Sequence, residues 1–197
     1  QHLQRKRSEL FQRPSWTEQL CQRCLRLIRS CSFFHPPKIC IVASERSLLC
    51  IHYKPFQFAC QASFGIYLEN SWYEFEGKKF YGFPWCPVLS NWSFYKSTED
   101  MQKAVQNIPN CDVLITHCPP KYTLQGTVLQ QGWNFMNDFG CLELNEIIGQ
   151  RIIQYNICGH IHSGKHIPDE LHGTKVVNVS SKDEDYRTNY DVCEFEL

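Results

Sequence analysis

Two short apolar runs, each opening onto a histidine, constrain this chain more than any other feature. Val113 to Thr116 leads into His117-Cys118-Pro119-Pro120, and Ile153 to Cys158 leads into Gly159-His160-Ile161-His162. Runs this short, bounded by turn residues, have the length of buried strands rather than helices. Between them, Cys141 to Gln150 carries Leu144, Ile147 and Ile148 on one helical face. Buried strand, helix and buried strand in succession predict an α/β sheet. In such a sheet the strand ends aim side chains into one crevice, where ligands bind.

The surrounding text extends this pattern. Tyr67-Leu68 and Trp72 to Phe75 read as short strands around a turn. Lys79 to Tyr81 follows the turn Glu76-Gly77-Lys78 as a third strand. Ser97-x-x-Asp100 predicts a capped helix to about Ile108, and a long loop holds Gly126, Gly132 and Gly140. Lys175 to Val179 and Asp191 to Phe195 read as further strands. In the first third, Ser15-x-x-Glu18 opens an amphipathic helix to about Ser30, Lys38 to Ala43 reads as a strand, and Leu48 to His52 as a second. The tryptophans Trp72, Trp85, Trp92 and Trp133 are candidates for core or cleft packing. No repeat or low-complexity tract interrupts the chain.

Composition narrows the class. With 197 residues and 43% hydrophobic content, the chain can bury a sizeable core. No apolar run approaches the ~20 residues of a membrane helix, and the basic, polar start lacks the apolar stretch of a signal peptide. Opening on Gln1 suggests a piece of something longer. Twelve scattered cysteines in a chain of this length predict free thiols in a reducing, cytoplasmic setting. Cys21 and Cys24 share an apolar helical stripe with Leu20, Leu27 and Ile28, where cysteine acts as a small hydrophobe.

The zero net charge hides an asymmetry. Residues 1–60 hold ten Lys and Arg against three Glu, and residues 61–197 hold ten against seventeen Asp and Glu. The basic residues are dispersed, and the acidic balance of the larger part argues against a nucleic-acid surface. The first third also has no aspartate before Asp100 and no glycine before Gly65. The chain therefore divides into an atypical basic, Cys-rich segment, 1–64, and a more orderly part, 65–197.

Histidines at strand ends are candidate metal ligands, since neutral imidazole binds zinc, manganese and iron. His162 stands two residues beyond His160, so one turn can direct both into a small volume. Gly159 is read as room for close backbone approach, and Pro119-Pro120 as stiffening after His117. His35, His52, His166 and His172 read as surface or satisfied core residues. Cys118 and Cys158 leave open a mononuclear Cys/His zinc site, against the blander reading of two thiols filling buried space.

Taken together, these stretches resemble the calcineurin-like metallophosphoesterases, and most closely the small metallophosphoesterase-domain-containing phosphodiesterases. The resemblance runs from about Tyr67 to the C-terminus. It rests on Gly82, Pro84, Trp85 and Pro87 of a Gly-x-Pro-Trp-x-Pro signature, and on Asp112, Leu114, Thr116, His117, Pro119 and Pro120 of Asp-x-Leu-x-Thr-His-x-Pro-Pro. Gly140-Cys141 before a helix, Gly159-His160-x-His162, and a following strand with Asn178 complete it.

The resemblance implies two mixed sheets packed as a sandwich flanked by helices, here incomplete at the N-terminal side, with 65–197 as the C-terminal part of the domain. It implies a phosphodiester hydrolase using divalent manganese, iron or zinc, acting on a small phosphodiester or nucleotide. His117 and His160 would bind one metal and His162 the other, with Gly159 and Asn178 shaping the site. The family's N-terminal motifs, Asp-x-His, Gly-Asp and Gly-Asn-His-Asp or -Glu, are absent. If Lys38 to Leu49 keeps the family register, Ala43, Ser44, Glu45 and Arg46 replace the last of them, and no acid or transition-state-stabilising histidine is identified.

Three neutral ligands without a bridging carboxylate predict one weakly held ion rather than two, and hydrolysis lost or impaired. The alternatives are a catalytically inactive nucleotide- or protein-binding module, and a mononuclear zinc protein. Residues 1–64 could also be an out-of-frame or variant segment, which translating the coding DNA in its other frames would decide. The sequence carries no signal for oligomeric state.

Overall fold

The computed structural model describes residues 38–40, 65–87, 90, 94–129, 136–162, 167–180, 182, 183, 185 and 187. The expected helix from Ser15, the strands at Leu48 to His52 and Asp191 to Phe195, and Trp92 and Trp133 lie outside the described residues.

In chain order the described strands are β1 (Lys38–Cys40), β2 (Gly65–Tyr67), β3 (Ser71–Phe75) and β4 (Lys78–Phe83). Helix α1 (Thr98–Val105) leads to β5 (Cys111–Thr116) and the short pair β6 (Thr127–Leu129) and β7 (Met136–Asp138). Helix α2 (Leu142–Ile148) precedes β8 (Ile153–Cys158), β9 (Asp169–Leu171) and β10 (Thr174–Asn178). A six-stranded mixed sheet in the order β3-β4-β5-β8-β10-β9 forms the frame. Its four inner strands run parallel, and each edge strand is antiparallel to its neighbour.

Alternation along β5 splits the core between the two faces of this sheet, as strand geometry requires. Leu114 joins Phe83, Met101, Ile108, Leu144, Ile147 and Ile148 on the helical side. Val113 joins Leu68 and Phe80 on the other, with Ile66, Ile115, Tyr155 and Ile157 packed alongside. Ile66 belongs to β2, which pairs in parallel with β1, so this small sheet contributes to the second layer. The α/β class and the layering expected from the sequence are observed here.

Local chemistry explains the helix limits. The Ser97 hydroxyl accepts from the Asp100 amide at 3.2 Å, capping α1. The helix stops at Val105 rather than Ile108, tightening into turn bonds from Asn107 to Ala104 and from Ile108 to Val105. Pro109 disfavours helical geometry in the residue before it. The expected glycine-rich loop contains the β6–β7 pair, and β9 was not anticipated. Strands of three residues are too short to show a period.

One close approach ties the two layers. A Cβ built on Gly82 of β4 would collide with the Leu68 side chain and lie 2.7 Å from the Leu68 carbonyl oxygen. Backbone cannot yield as a side-chain tip can. Gly82→Ala is expected to destabilise the fold by about 1–3 kcal/mol, the usual cost of overpacking, measured as a lower urea midpoint at unchanged slope.

Candidate metal centre

Parallel pairing of β5 with β8 sets Leu114 opposite Asn156 and Ile115 opposite Ile157. Both strands therefore finish at the same level, and the two histidine segments emerge side by side. The Gly159 amide then donates to the His117 carbonyl at 2.9 Å, and the His117 amide to Phe83 of β4 at 3.4 Å. These backbone bonds bring the imidazoles of His117 and His160 to a centroid separation of 4.6 Å, tilted by 51°.

The turn that carries the second pair is strained. His160 has a φ of 70°, and the Ile161 amide closes back on the Gly159 carbonyl at 2.8 Å. A left-handed conformation costs an ordinary residue roughly 1–2 kcal/mol, and such strain clusters at functional sites. Against the protein itself, a Cβ on Gly159 would meet Ser180 Oγ at 3.5 Å and the His117 carbonyl at 3.8 Å, ordinary contacts.

Polar side chains brace both segments from beneath. Asn156, fully buried in β8, donates to the Leu114 carbonyl and to the Thr116 hydroxyl, both at 3.2 Å. That hydroxyl donates onward to the Cys118 carbonyl at 2.8 Å, shaping the turn at His117. Asn178, at the end of β10, donates to Ile161 at 2.7 Å and to the Gln125 carbonyl at 3.3 Å. It also accepts from the Ser180 amide at 2.9 Å. Asn178 is thus a strut under the turn between His160 and His162. Asn156, Thr116 and Gln125 were missed in the sequence. The available signal was a lone amide inside the apolar run of β8.

The histidines also sense one another. His117 is 5% exposed. Burial, reinforced by repulsion from His160 and His162, pushes its pKa down from 6.5 to about 3. It is therefore a neutral imidazole near neutral pH, the form that ligates metals. His162 Nδ1 lies 2.8 Å from the Asp183 carbonyl oxygen. A backbone acceptor there fixes a tautomer with Nδ1–H and leaves the Nε2 lone pair for a ligand.

The thiols behave differently. Cys118 donates to the Trp85 carbonyl at 3.5 Å, and Cys158 to the Val177 carbonyl at 3.4 Å. Hydrogen bonding with Cys141 and Cys86, with burial, holds the Cys118 thiol well above its usual range. Burial alone pushes Cys158 up. The thiol beside the histidines is Cys86, with Sγ 3.9 Å from His160 Nε2.

The donor set decides what these residues fit. His117 and His160 stand together, and His162 is near enough to depress the His117 pKa. Among the described residues no three His, Cys, Asp or Glu side chains, these histidines included, are grouped so that they could hold a metal ion. Two close cations would in addition need carboxylates to offset their repulsion.

Curated proteins resemble this chain in sequence. UPF0046 protein C25E10.12 of Caenorhabditis elegans is 32% identical over 136 residues, 66% of this chain and 46% of that protein. UPF0046 protein T07D4.2 of the same organism is 35% identical over 102 residues, 50% of this chain and 24% of its own. The human Metallophosphoesterase domain-containing protein 1 is 32% identical over 102 residues, 50% of this chain and 30% of its own. This chain is a relative of the metallophosphoesterase-domain proteins. The matched region spans less than half the length of each of these three relatives. No family model matches.

Solved structures share the fold of this chain. One solved structure, 17% identical, superposes with a TM-score of 0.60 over 83% of this chain and 65% of its own. The protein TT1561 of Thermus thermophilus, 11% identical, gives 0.53 over 81% and 70%. Among the described residues no helix is long and apolar enough to cross a membrane.

Two outcomes are expected. Asn178→Ala removes the side-chain bonds to Ile161, Gln125 and Ser180 and should cost about 2–4 kcal/mol, read by chemical denaturation. In chelator, stability should fall as pH drops from about 6.5 towards about 3. Over that window the unfolded imidazole takes a proton that folded His117 refuses. His117→Asn should flatten this part of the stability profile.

Proposed function

We propose that this chain carries one half of a phosphoesterase-type metal site, binds a single divalent ion weakly, and has lost most or all hydrolytic power. The observation that supports this best is the approach of His117 and His160 to a ring separation of 4.6 Å at the ends of adjacent parallel strands. His117 and His160 would hold the ion, and His162 marks the position of the second metal in a complete site. Manganese, iron or zinc suits imidazole donors. A bound ion would supply Lewis-acid polarisation of a phosphoester oxygen. The chain's own contribution is to keep His117 neutral through burial and to orient His162 through the Asp183 carbonyl.

The expected substrate class is a small phosphodiester or nucleotide. Impairment is supported by the sequence itself, which has no aspartate before Asp100 to serve as the early bridging carboxylate. That same fact favours, as a second reading, a module that recognises a phosphorylated ligand or a protein without turnover. A mononuclear Cys/His zinc site has less support, because Cys118 and Cys158 donate to backbone carbonyls.

The test uses the full chain with bis(p-nitrophenyl) phosphate, in excess manganese and in chelator, beside a manganese-binding titration. The expected result is weak manganese binding that His160→Ala removes, with no turnover above that variant. Manganese-dependent turnover abolished by His160→Ala would overturn the impairment. Absence of manganese binding by the folded protein would overturn the metal site.

A further inference from the structure

A groove of about 730 Å³ runs between the β3–β4 edge of the sheet and α1, and shares no lining residue with the histidine cluster. Its volume falls among those of small-molecule sites, roughly 300–1,000 Å³. Lys79 and Lys96 line one side with Asn70 and Trp72, and Lys103 and Asp100 of α1 line the other. Three ammonium groups against one carboxylate make the groove a site for anions. Among the described residues, none of the three lysines is held in an ion pair.

Two of these lysines are positioned by aromatic rings. The Lys79 ammonium lies 4.7 Å from the Trp72 ring centroid, and the Lys96 ammonium 3.8 Å from that of Trp85. Such contacts hold a cation over the ring face. Trp85 is itself fixed, since its indole N–H donates to Asn70 Oδ1 at 2.9 Å and its ring meets Phe94 edge-on at 5.9 Å. A lysine already held in place loses less freedom when an anion arrives. This separates Lys79 and Lys96 from ordinary solvated surface lysines.

We propose that this groove binds a small phosphorylated anion, with the phosphate or pyrophosphate group held between Lys79, Lys96 and Lys103. The phosphate oxygens accept from the ammonium groups. The remaining volume leaves room for an organic substituent along the exposed Trp72. The proposal is independent of the histidine cluster, and its test keeps the two apart.

The full chain is titrated with inorganic pyrophosphate in chelator, followed by calorimetry and tryptophan fluorescence. Saturable binding is expected, weakened at least tenfold in the Lys79→Ala/Lys103→Ala double variant and unchanged in His160→Ala. Trp85→Phe should weaken it to a smaller degree by loosening Lys96. Circular dichroism verifies that each variant is folded. No saturable binding by the unmodified chain, or equal binding by the double variant, would overturn the proposal. Loss in His160→Ala with the lysine variants unaffected would overturn it too, by moving the anion to the histidine site.

Discussion

The parallel registration of β5 against β8 governs the rest of the molecule, because it decides where two separate stretches of chain come to an end. With Ile115 beside Ile157, both strands finish level, and their next residues share one crevice. A shift of one residue would turn each strand's side chains to the opposite face. It would place Leu114 in the layer of Val113 and break the bond from Asn156 to Thr116. The same pairing therefore fixes the core and sets two imidazoles 4.6 Å apart. The bond from Gly159 to His117 continues the pairing by one step beyond the sheet and joins the loops to each other.

Polar groups inside the fold turn that placement into a rigid site. Asn156 and Asn178 are fully buried; the Asn156 amide donates to the end of β5 just before His117, and that of Asn178 to Ile161 between His160 and His162. Unpaired, each amide would be costly to bury. Paired, it couples the position of a loop to the integrity of the sheet below. His160 can sit in a left-handed conformation because its neighbours on both sides are held this way. That strain is borne by the frame, which is a common arrangement where geometry serves binding.

Charge distinguishes the two regions of the molecule where ligands are proposed. At the histidine cluster, burial and repulsion from its neighbours keep His117 neutral. At the groove the donors are permanently charged, and indole rings rather than carboxylates hold two of them. One region suits a soft or borderline cation and the other an anion. Their separation follows from the sheet: the histidines stand at its central strand ends, and the groove lies along its β3–β4 edge under α1.

The sequence by itself determined the strand at Ile153 to Cys158, the cap at Ser97 and the α/β class. These rest on local properties: apolar period, capping chemistry and residue type. It also determined that residues 1–99 hold no aspartate. Tertiary structure alone decided which histidines meet, since that depends on register between strands distant in the chain. It also decided that His160 takes a left-handed backbone conformation, which residue type alone does not reveal. The β6–β7 pair, the strut role of Asn178, and the thiol of Cys86 beside His160 were equally unreadable. Each depends on partners far apart in sequence, which only the folded packing brings within bonding distance.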